Sequence, residues 1–315
     1  MTAIKVVTYD ESYKRAWDDF VDAAKNGVFL FKRDYMEYHA DRFPDASLLF
    51  FDKDVQLIAL LPSTSKDGEV LSSHAGLTFG GVLSGDSMKV DPMLEIFDAM
   101  VAHARAAGFK RLIYKAIPHI YHRIPAEEDL YALFRNDARL FRRDVSSTIQ
   151  MSERLSFSKG RKWSIKQALK NGIEVGRSFD FETFISIEEH VLESRHGTHP
   201  VHTAAELRLL ATRFPDQIKL FAASRAGEML AGVVIYESAQ VAHAQYIGAT
   251  DGGKAAGATD LVINHLINDY YVDKKYFDFG ISTEDAGRRL NAGLAENKQG
   301  FGGRAVVYDF YEINL

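Results

Sequence analysis

VAHAQYIGATDGGKAAGATDLVINHLINDYYVDKKYFDFGI, from Val241 to Ile281, is the stretch around which the rest of the chain is ordered. VAHAQYIG reads as a strand and ATDGGKAAG as a glycine-rich loop. Leu261, Val262, Leu266, Ile267, Tyr270 and Tyr271 then recur in pairs at helical spacing, and Tyr276, Phe277 and Phe279 open an aromatic strand. A glycine-rich loop feeding a helix leaves backbone N–H groups without partners and aims them, with the helix dipole, at one point. That arrangement suits a pyrophosphate, so the first expectation is a site for a phosphorylated cofactor.

Outward from this stretch, composition sets the bounds. With 315 residues, 46% hydrophobic and 26% charged, the chain can bury a sizeable core in one large or two ordinary domains. The formal charge of -5 provides no global attraction for nucleic acid or an anionic membrane, and no DNA partner is expected. The absence of cysteine excludes disulfides, thiolate metal sites and a cysteine nucleophile. MTAIKVVTYDES lacks the basic start and apolar run of a secretory signal, and no apolar stretch approaches the roughly 20 residues that span a bilayer. The expectation is a cytoplasmic protein without a membrane span; its oligomeric state is not legible.

Alternation and periodicity predict a strand at Ile4–Tyr9, helices over Ser12–Ala24 and Phe29–Phe43, and a hairpin of Ser47–Phe51 with Val55–Leu61. A strand-like segment follows at Glu69–Leu83, then a helix capped by Asp91 with Pro92 first, a strand at Arg111–Pro118, a helix at Glu127–Asn136 and a long strand at Ala138–Met151. A second run begins with a basic helix, Ser158–Asn171. It continues through a strand at Ile173–Ser178, helices at Phe181–Ser194 and Ala204–Arg213, and a hairpin of Ile218–Ser224 with Met229–Ser238. After the central stretch come a helix near Gly287–Lys298 and a closing strand, Arg304–Ile313. AGLTFGG at Ala75–Gly81 aligns with IGATDGG at Ile247–Gly253 at four of seven positions, and in both places an amphipathic helix and a strand follow. Two copies of one α/β unit are expected, at residues 1–151 and 152–315.

This order of elements resembles the GNAT N-acyltransferase fold, and its duplication resembles the tandem-GNAT, FemAB-like branch. Arg161, Ile165, Lys166, Ala168 and Gly172 resemble that branch's basic helix, Tyr276–Gly280 its aspartate-bearing strand end, and LAENKQGFG at Leu294–Gly302 its late lysine. The resemblance implies an α/β (α+β) fold of two tandem units, each a mixed, mostly antiparallel sheet flanked by helices. It also implies transfer of an acyl or aminoacyl group from a thioester or ester donor to an amine, at a cleft between the two domains. The donor it implies is acyl-CoA, acetyl-CoA in the first instance, with aminoacyl-tRNA as the alternative; the acceptor would be a small-molecule or cell-wall-precursor amine. Lys254-Ala255-Ala256-Gly257-Ala258-Thr259 stands where GNAT enzymes carry Q or R, two residues, G, one residue, then G or A, here with lysine first and threonine last. Two other readings stay open: a catalytically silent GNAT-like binding module, and an aminoacyl-tRNA-dependent ligase of peptidoglycan precursors.

Within that resemblance Ile247, Gly248, Gly252, Gly253, Lys254, Gly257 and Ala258 are expected at the cofactor, and Lys298, Asp278, Glu284 and Tyr246 in catalysis. Asp278 or Glu284 would accept or relay the amine proton, Tyr246 protonate the leaving group and Lys298 stabilise negative charge, with a backbone N–H near Ile247–Gly248 for the oxyanion. Arg195, His196, His199, His74, Phe79 and Tyr35 are the expected acceptor-site residues. Competing motifs are poorer fits. Gly248–Ala255 nearly spells a P-loop but has alanine where a Mg²⁺-binding hydroxyl belongs, and Asp278-Phe279-Gly280 has no kinase motifs before it. His196, His199 and His202 are separated by Gly and Pro that spoil ligand spacing, so no metal is expected.

Overall fold

In the computed structural model, which describes residues 4–196 and 201–315, contacts divide the chain into two units. The first comprises Met1–Asp144, Glu284–Arg289 and Val307–Leu315; the second comprises Val145–Thr283 and Leu290–Val306. This division differs from a single cut at residue 151. The closing strand pairs through Phe310–Asn314 with Lys115–Arg111, so the C-terminus returns to the first unit, a pairing that local periodicity does not encode.

The first unit runs β1 (Lys5–Thr8), α1 (Lys14–Ala23), α2 (Arg33–Met36), β2 (Leu48–Phe51), β3 (Leu57–Leu61), β4 (Thr64–Lys66), β5 (Val70–Ser72) and β6 (Leu83–Ser84). Then come α3 (Val90–Ala106), β7 (Arg111–Lys115), α4 (Glu128–Arg135) and the start of β8 (Arg139–Gln150). One sheet has the order β1-β2-β3-β6 with antiparallel neighbours, and β5 runs parallel to β7. Met93, Ile96, Phe97, Met100 and Ala104 turn one face of α3 onto Leu48, Phe50, Leu112 and Tyr114.

Several local expectations differ from this course. Phe29–Phe43 is broken into short helical turns, with extended backbone at Lys32. The helix expected to be capped by Asp91 begins two residues earlier, at Val90 after Lys89, without a side-chain cap. Residues 73–82 form a loop rather than a strand, whereas the aligned Ile247–Gly253 spans a strand end and a helical turn. The seven-residue match therefore joins two different local structures, and the duplication rests on the order of elements.

The second unit contains α5 (Lys159–Lys170), β9 (Glu174–Ser178), α6 (Phe181–His196), α7 (Ala204–Arg213), β10 (Ile218–Arg225), β11 (Glu228–Glu237) and β12 (Val241–Ala249). In chain order there follow α8 (Asp251–Ala255), α9 (Ala258–His265), β13 (Tyr276–Ile281), the two-residue β14 (Thr283–Glu284) and β15 (Arg289–Leu290), α10 (Ala292–Gln299) and β16 (Arg304–Asn314), of which Glu284, Arg289 and residues 307–314 belong to the first unit. Its strand order is β8-β13-β12-β11-β10-β9, antiparallel except for β12 and β13. The β10–β11 turn places Ala226 at φ 51° and Gly227 at φ 85°, the two positive φ values of a type I′ hairpin. Leu261, Val262, Leu266 and Ile267 bury the apolar face of α9 against Phe221, Val233, Phe277 and Ile165. A π-helical turn over Leu266–Tyr270 ends that helix.

Candidate active site

The site begins where two parallel strands part. β12 and β13 pair only at Val241↔Tyr276, Ala242↔Phe277 and His243↔Asp278. Beyond His243, β12 stays on β11, from Ala244↔Ile235 to Ala249↔Ala231, with a bulge that leaves Gln245 unpaired. β13 meanwhile keeps to β8 through Asp278↔Thr148. Each strand is held by its other neighbour, so a wedge opens between them.

A cleft of about 1030 Å³ occupies this region. Ile247, Gly248 and Ala249 line it from β12, Phe279 from β13, Lys254 and Gly257 from the glycine loop, Arg161 and Trp163 from α5, and Lys298 from α10. Gly257, at φ 80°, sits in the left-handed region immediately before α9. A Cβ there would lie 2.5 Å from the Ser164 carbonyl oxygen and 2.7 Å from its hydroxyl, so only glycine allows α5 to approach the loop. Thr259 and Asp260, in the first turn of α9, line this end of the cleft, where a helix N-terminus has N–H groups without intrahelical partners. Arg161 donates to Asp260 at 2.7 Å and lies over the Phe301 ring, which fixes a cation along the same wall.

At the vertex lies a buried dyad. Asp278 is fully buried and accepts from Ser146 Oγ at 2.5 Å, Thr148 Oγ1 at 2.6 Å and His243 Nδ1 at 2.7 Å. Burial works to raise its pKa, but the hydrogen bonds and the His243 charge outweigh it and hold the carboxyl below its ordinary value. Asp278 therefore stays ionised and fixes the His243 ring with Nε2 directed away from it. On the adjoining arm Lys298 Nζ donates to the carbonyls of Gly280, at 2.8 Å, and Ile281, at 2.7 Å. Burial pushes its pKa down to about 8 against the opposing pull of Asp278.

A second polar group flanks β12. Glu188 of α6 presses its carboxyl against Gly248, where a Cβ would collide with Oε1. It is 7% exposed, Oε1 has no hydrogen-bond partner, and burial raises its pKa to about 7 although Lys254 works against the rise. The Lys254 ammonium is also buried without a hydrogen-bond partner, and lies 3.6 Å from Asp251. Two buried polar atoms without hydrogen-bond partners at one strand end mark a place where ligand polar groups would be welcome.

The structure thus brings Ile247, Gly248, Lys254, Gly257 and Lys298 to one cleft, with Asp278 behind its vertex. It does not bring all the expected residues there. Ala258 is in the core, and Gly253 packs against the Leu230 carbonyl. Gly252, exposed in the short α8, has open space around it. Tyr246 is joined to His202 Nδ1 through its hydroxyl at 2.5 Å. Glu284 falls in the first unit, ion-paired with Arg289. His74, Phe79 and Tyr35 are buried there, at 3%, 2% and 4% exposure. Phe79 packs on Phe31, Tyr121 and Tyr308, Tyr35 on Phe29 and Tyr38, and His74 beside His39 and Phe43. None of the three is an open groove wall. Arg195 and His196 lie on the last turn of α6, and His199 lies outside the described residues. Sequence reasoning missed His243 and Glu188. His243 carried a signal, since a polar residue alternates with Val241, Ala242 and Ala244 in an otherwise apolar strand, but Glu188 shows only as one acid on a helix.

Comparison with known proteins bears on the fold. Residues 158–286 match the family model of the acetyltransferase (GNAT) domain. Over the whole chain the fold is similar to that of FemX, with TM-score 0.68 and 10% identity across 99% of this chain and 97% of that one. Residues 158–286 thus resemble a GNAT domain, and the fold of the whole chain is similar to that of FemX and of tandem GNAT structures. The C-terminal domain of a putative lysylphosphatidylglycerol synthetase from Agrobacterium fabrum is also similar, with TM-score 0.60 and 11% identity over 96% of this chain and 92% of that one. So is a tandem GNAT protein from the clavulanic acid biosynthesis pathway, with TM-score 0.53 and 11% identity over 99% of this chain and 98% of that one. No curated protein matches the sequence. Within the matched residues, β12 and β13 are the parting strands and α9 follows the glycine loop. Among the described residues no helix is long and apolar enough to cross a membrane, and no group of three or more His, Cys, Asp or Glu could hold a metal.

Proposed function

We propose that the protein is an N-acyltransferase whose second unit binds an acyl or aminoacyl donor, acyl-CoA in the first instance, and transfers its acyl group to an amine. The observation that carries this reading is the parting of β12 and β13 directly after the His243–Asp278 pair, beside the α9 N-terminus. Gly257, Lys254 and the first turn of α9 suit the phosphates of the donor, and the cleft between the strands suits the arm that carries its acyl group.

The amine arrives as an ammonium, and the unpartnered carboxyl of Glu188 attracts it. His243, held by Asp278, removes a proton, so that the free amine forms a C–N bond to the acyl carbonyl carbon. A backbone N–H at Ile247–Gly248 stabilises the oxyanion, and the buried cation of Lys298 stabilises negative charge on the donor side. Collapse breaks the C–S or C–O bond, and the second proton of the attacking nitrogen passes to the leaving thiolate or alkoxide. No covalent enzyme intermediate is required. A FemX-like reading, with an aminoacyl-tRNA donor and a cell-wall-precursor acceptor, has the fold similarity and the basic α5 in its favour.

Thermal shift with CoA, acetyl-CoA, longer acyl-CoA and aminoacyl-tRNA tests the donor. A donor present at 100 times its Kd adds about 2.7 kcal/mol of stability. Acyl-CoA is expected to stabilise the wild-type chain. Stabilisation only by aminoacyl-tRNA would replace acyl-CoA as donor, and stabilisation by none would leave a binding module of other specificity.

A further inference from the structure

One side chain of the cleft has no part in the transfer chemistry. The chain has two tryptophans, and their surroundings are opposite. Trp17 is fully buried and its indole donates to the Phe31 carbonyl at 2.7 Å. Trp163 is 65% exposed and lines the cleft. It belongs to the stripe Gly160, Arg161, Trp163 and Ser164, which faces the cleft at helical spacing, while Lys162, Ile165 and Lys166 line a separate 480 Å³ pocket across α5.

Its position relative to the phosphate end is fixed by its neighbour. Ser164, the next residue along α5, packs against Gly257 at the start of α9, and Trp163, Ser164 and Gly257 line the same cleft. Arg161, clamped by Asp260, and Arg304 add cationic charge to the same walls. A large exposed π face beside cations and a helix N-terminus matches a nucleotide: phosphate at the helix, base on the ring.

We infer that Trp163 is the stacking platform for the adenine base of a nucleotide-bearing donor. The inference rests on the donor reading above and deepens it. CoA and the 3′ end of an aminoacyl-tRNA both carry a terminal adenosine, so the ring recognises chemistry that the two share. Because an indole stacks on any flat base without reading its edge, the site gives affinity rather than base identity.

Indole emission of the full chain provides the test, with Trp163→Phe as the blank that leaves only buried Trp17. CoA and a hairpin RNA ending in CCA are titrated separately, beside 4′-phosphopantetheine, which has the arm and a phosphate but no adenine. Quenching is expected from an adenine-bearing probe, absent with 4′-phosphopantetheine and absent in the blank. Trp163→Ala should weaken binding of that probe roughly 10-fold, while Trp163→Tyr retains most of it. Quenching by CoA alone assigns the base to a thioester donor; quenching by the RNA alone assigns it to a tRNA end. Equal quenching by 4′-phosphopantetheine, or unchanged donor affinity in Trp163→Ala, overturns the inference even when acyl transfer is measured. Adenine-dependent quenching with no transfer to any amine tested would instead remove the acyltransferase reading and leave the base site standing.

Discussion

In the first unit β5 and β7 run parallel through Ser72↔Ile113; in the second β12 and β13 run parallel through His243↔Asp278. The two pairs differ beyond their last paired residues. After Ser72 the chain turns back across the end of β7: Ser73 N–H donates to Ile113 O, Gly80 N–H to Lys115 O and Val82 N–H to the Tyr114 hydroxyl. Lys115 Nζ reaches into this loop, donating to the carbonyls of His74 and Leu77. Burial, with Arg142 adding to it, lowers the Lys115 pKa to about 7. In the second unit β12 instead continues along β11, and Ile247, Gly248, Ala249 and Phe279, beyond the last paired residues, line the cleft. On the proposed reading, a parallel pair leaves room for a donor only where its strands part and nothing returns to fill the gap.

The largest expected effect comes from removing the dyad. Asp278→Asn unties His243 and presents an amide to donors that a carboxylate satisfied; transfer should fall by about 10²–10⁴-fold in kcat with donor binding retained. Lys298→Met is next, with a loss of about 100-fold in kcat. It carries a second signature. The folded Lys298 pKa of about 8 lies below the ordinary 10.5, so between those values the unfolded chain binds the proton and the folded one does not. Its contribution to stability therefore rises with pH across that window, and denaturation at pH 8 and pH 10 should show this slope reduced in Lys298→Met.

Gly257→Ala should cost about 1–3 kcal/mol of stability and weaken donor binding, because the new Cβ meets the Ser164 carbonyl at a positive φ. Glu188→Gln should change stability with a defined pH dependence. The folded pKa of about 7 stands above the ordinary 4.5, so the wild-type group stabilises fully below 4.5 and loses that contribution as pH rises to 7. Urea denaturation across that window should be flatter in the variant, and its KM for the amine should rise more than kcat falls. The smallest effect belongs to the first unit. Lys115→Met, in the filled counterpart of the site, should leave donor affinity and transfer unchanged; a loss of transfer comparable to that of Lys298→Met would show that the two units are not divided in function as described.

The elements of the second unit were legible because their signals are local: apolar alternation in VAHAQYIG, paired apolar residues in α9, turn residues between β10 and β11. The cleft wall was partly legible for the same reason, since Ile247, Gly248, Lys254 and Gly257 are contiguous with a helix start. Identity without context is the poorer guide. Gly80 and Gly81 match Gly252 and Gly253 in sequence, yet the first pair belongs to a loop that packs on Ser73 and Tyr114 and the second to a helical turn. Residue type alone suggests an acceptor groove for Phe79, Tyr35 and His74, and tertiary packing buries all three.

By itself the sequence determined the periodicities, the order of elements that repeats, the glycine before α9 and the late lysine, because each depends on residues close together in the chain. Tertiary structure decided the rest. His243 and Asp278 are 35 positions apart and become a dyad only through the parallel register of β12 and β13. Glu188 acquires its raised pKa only when α6 lays it on Gly248, and the last strand joins the first unit only through its pairing with β7. Register, burial and the company of a charge are properties of segments distant in sequence, and for that reason the stretch from Val241 to Ile281 announced a phosphate site but not the groups that would act beside it.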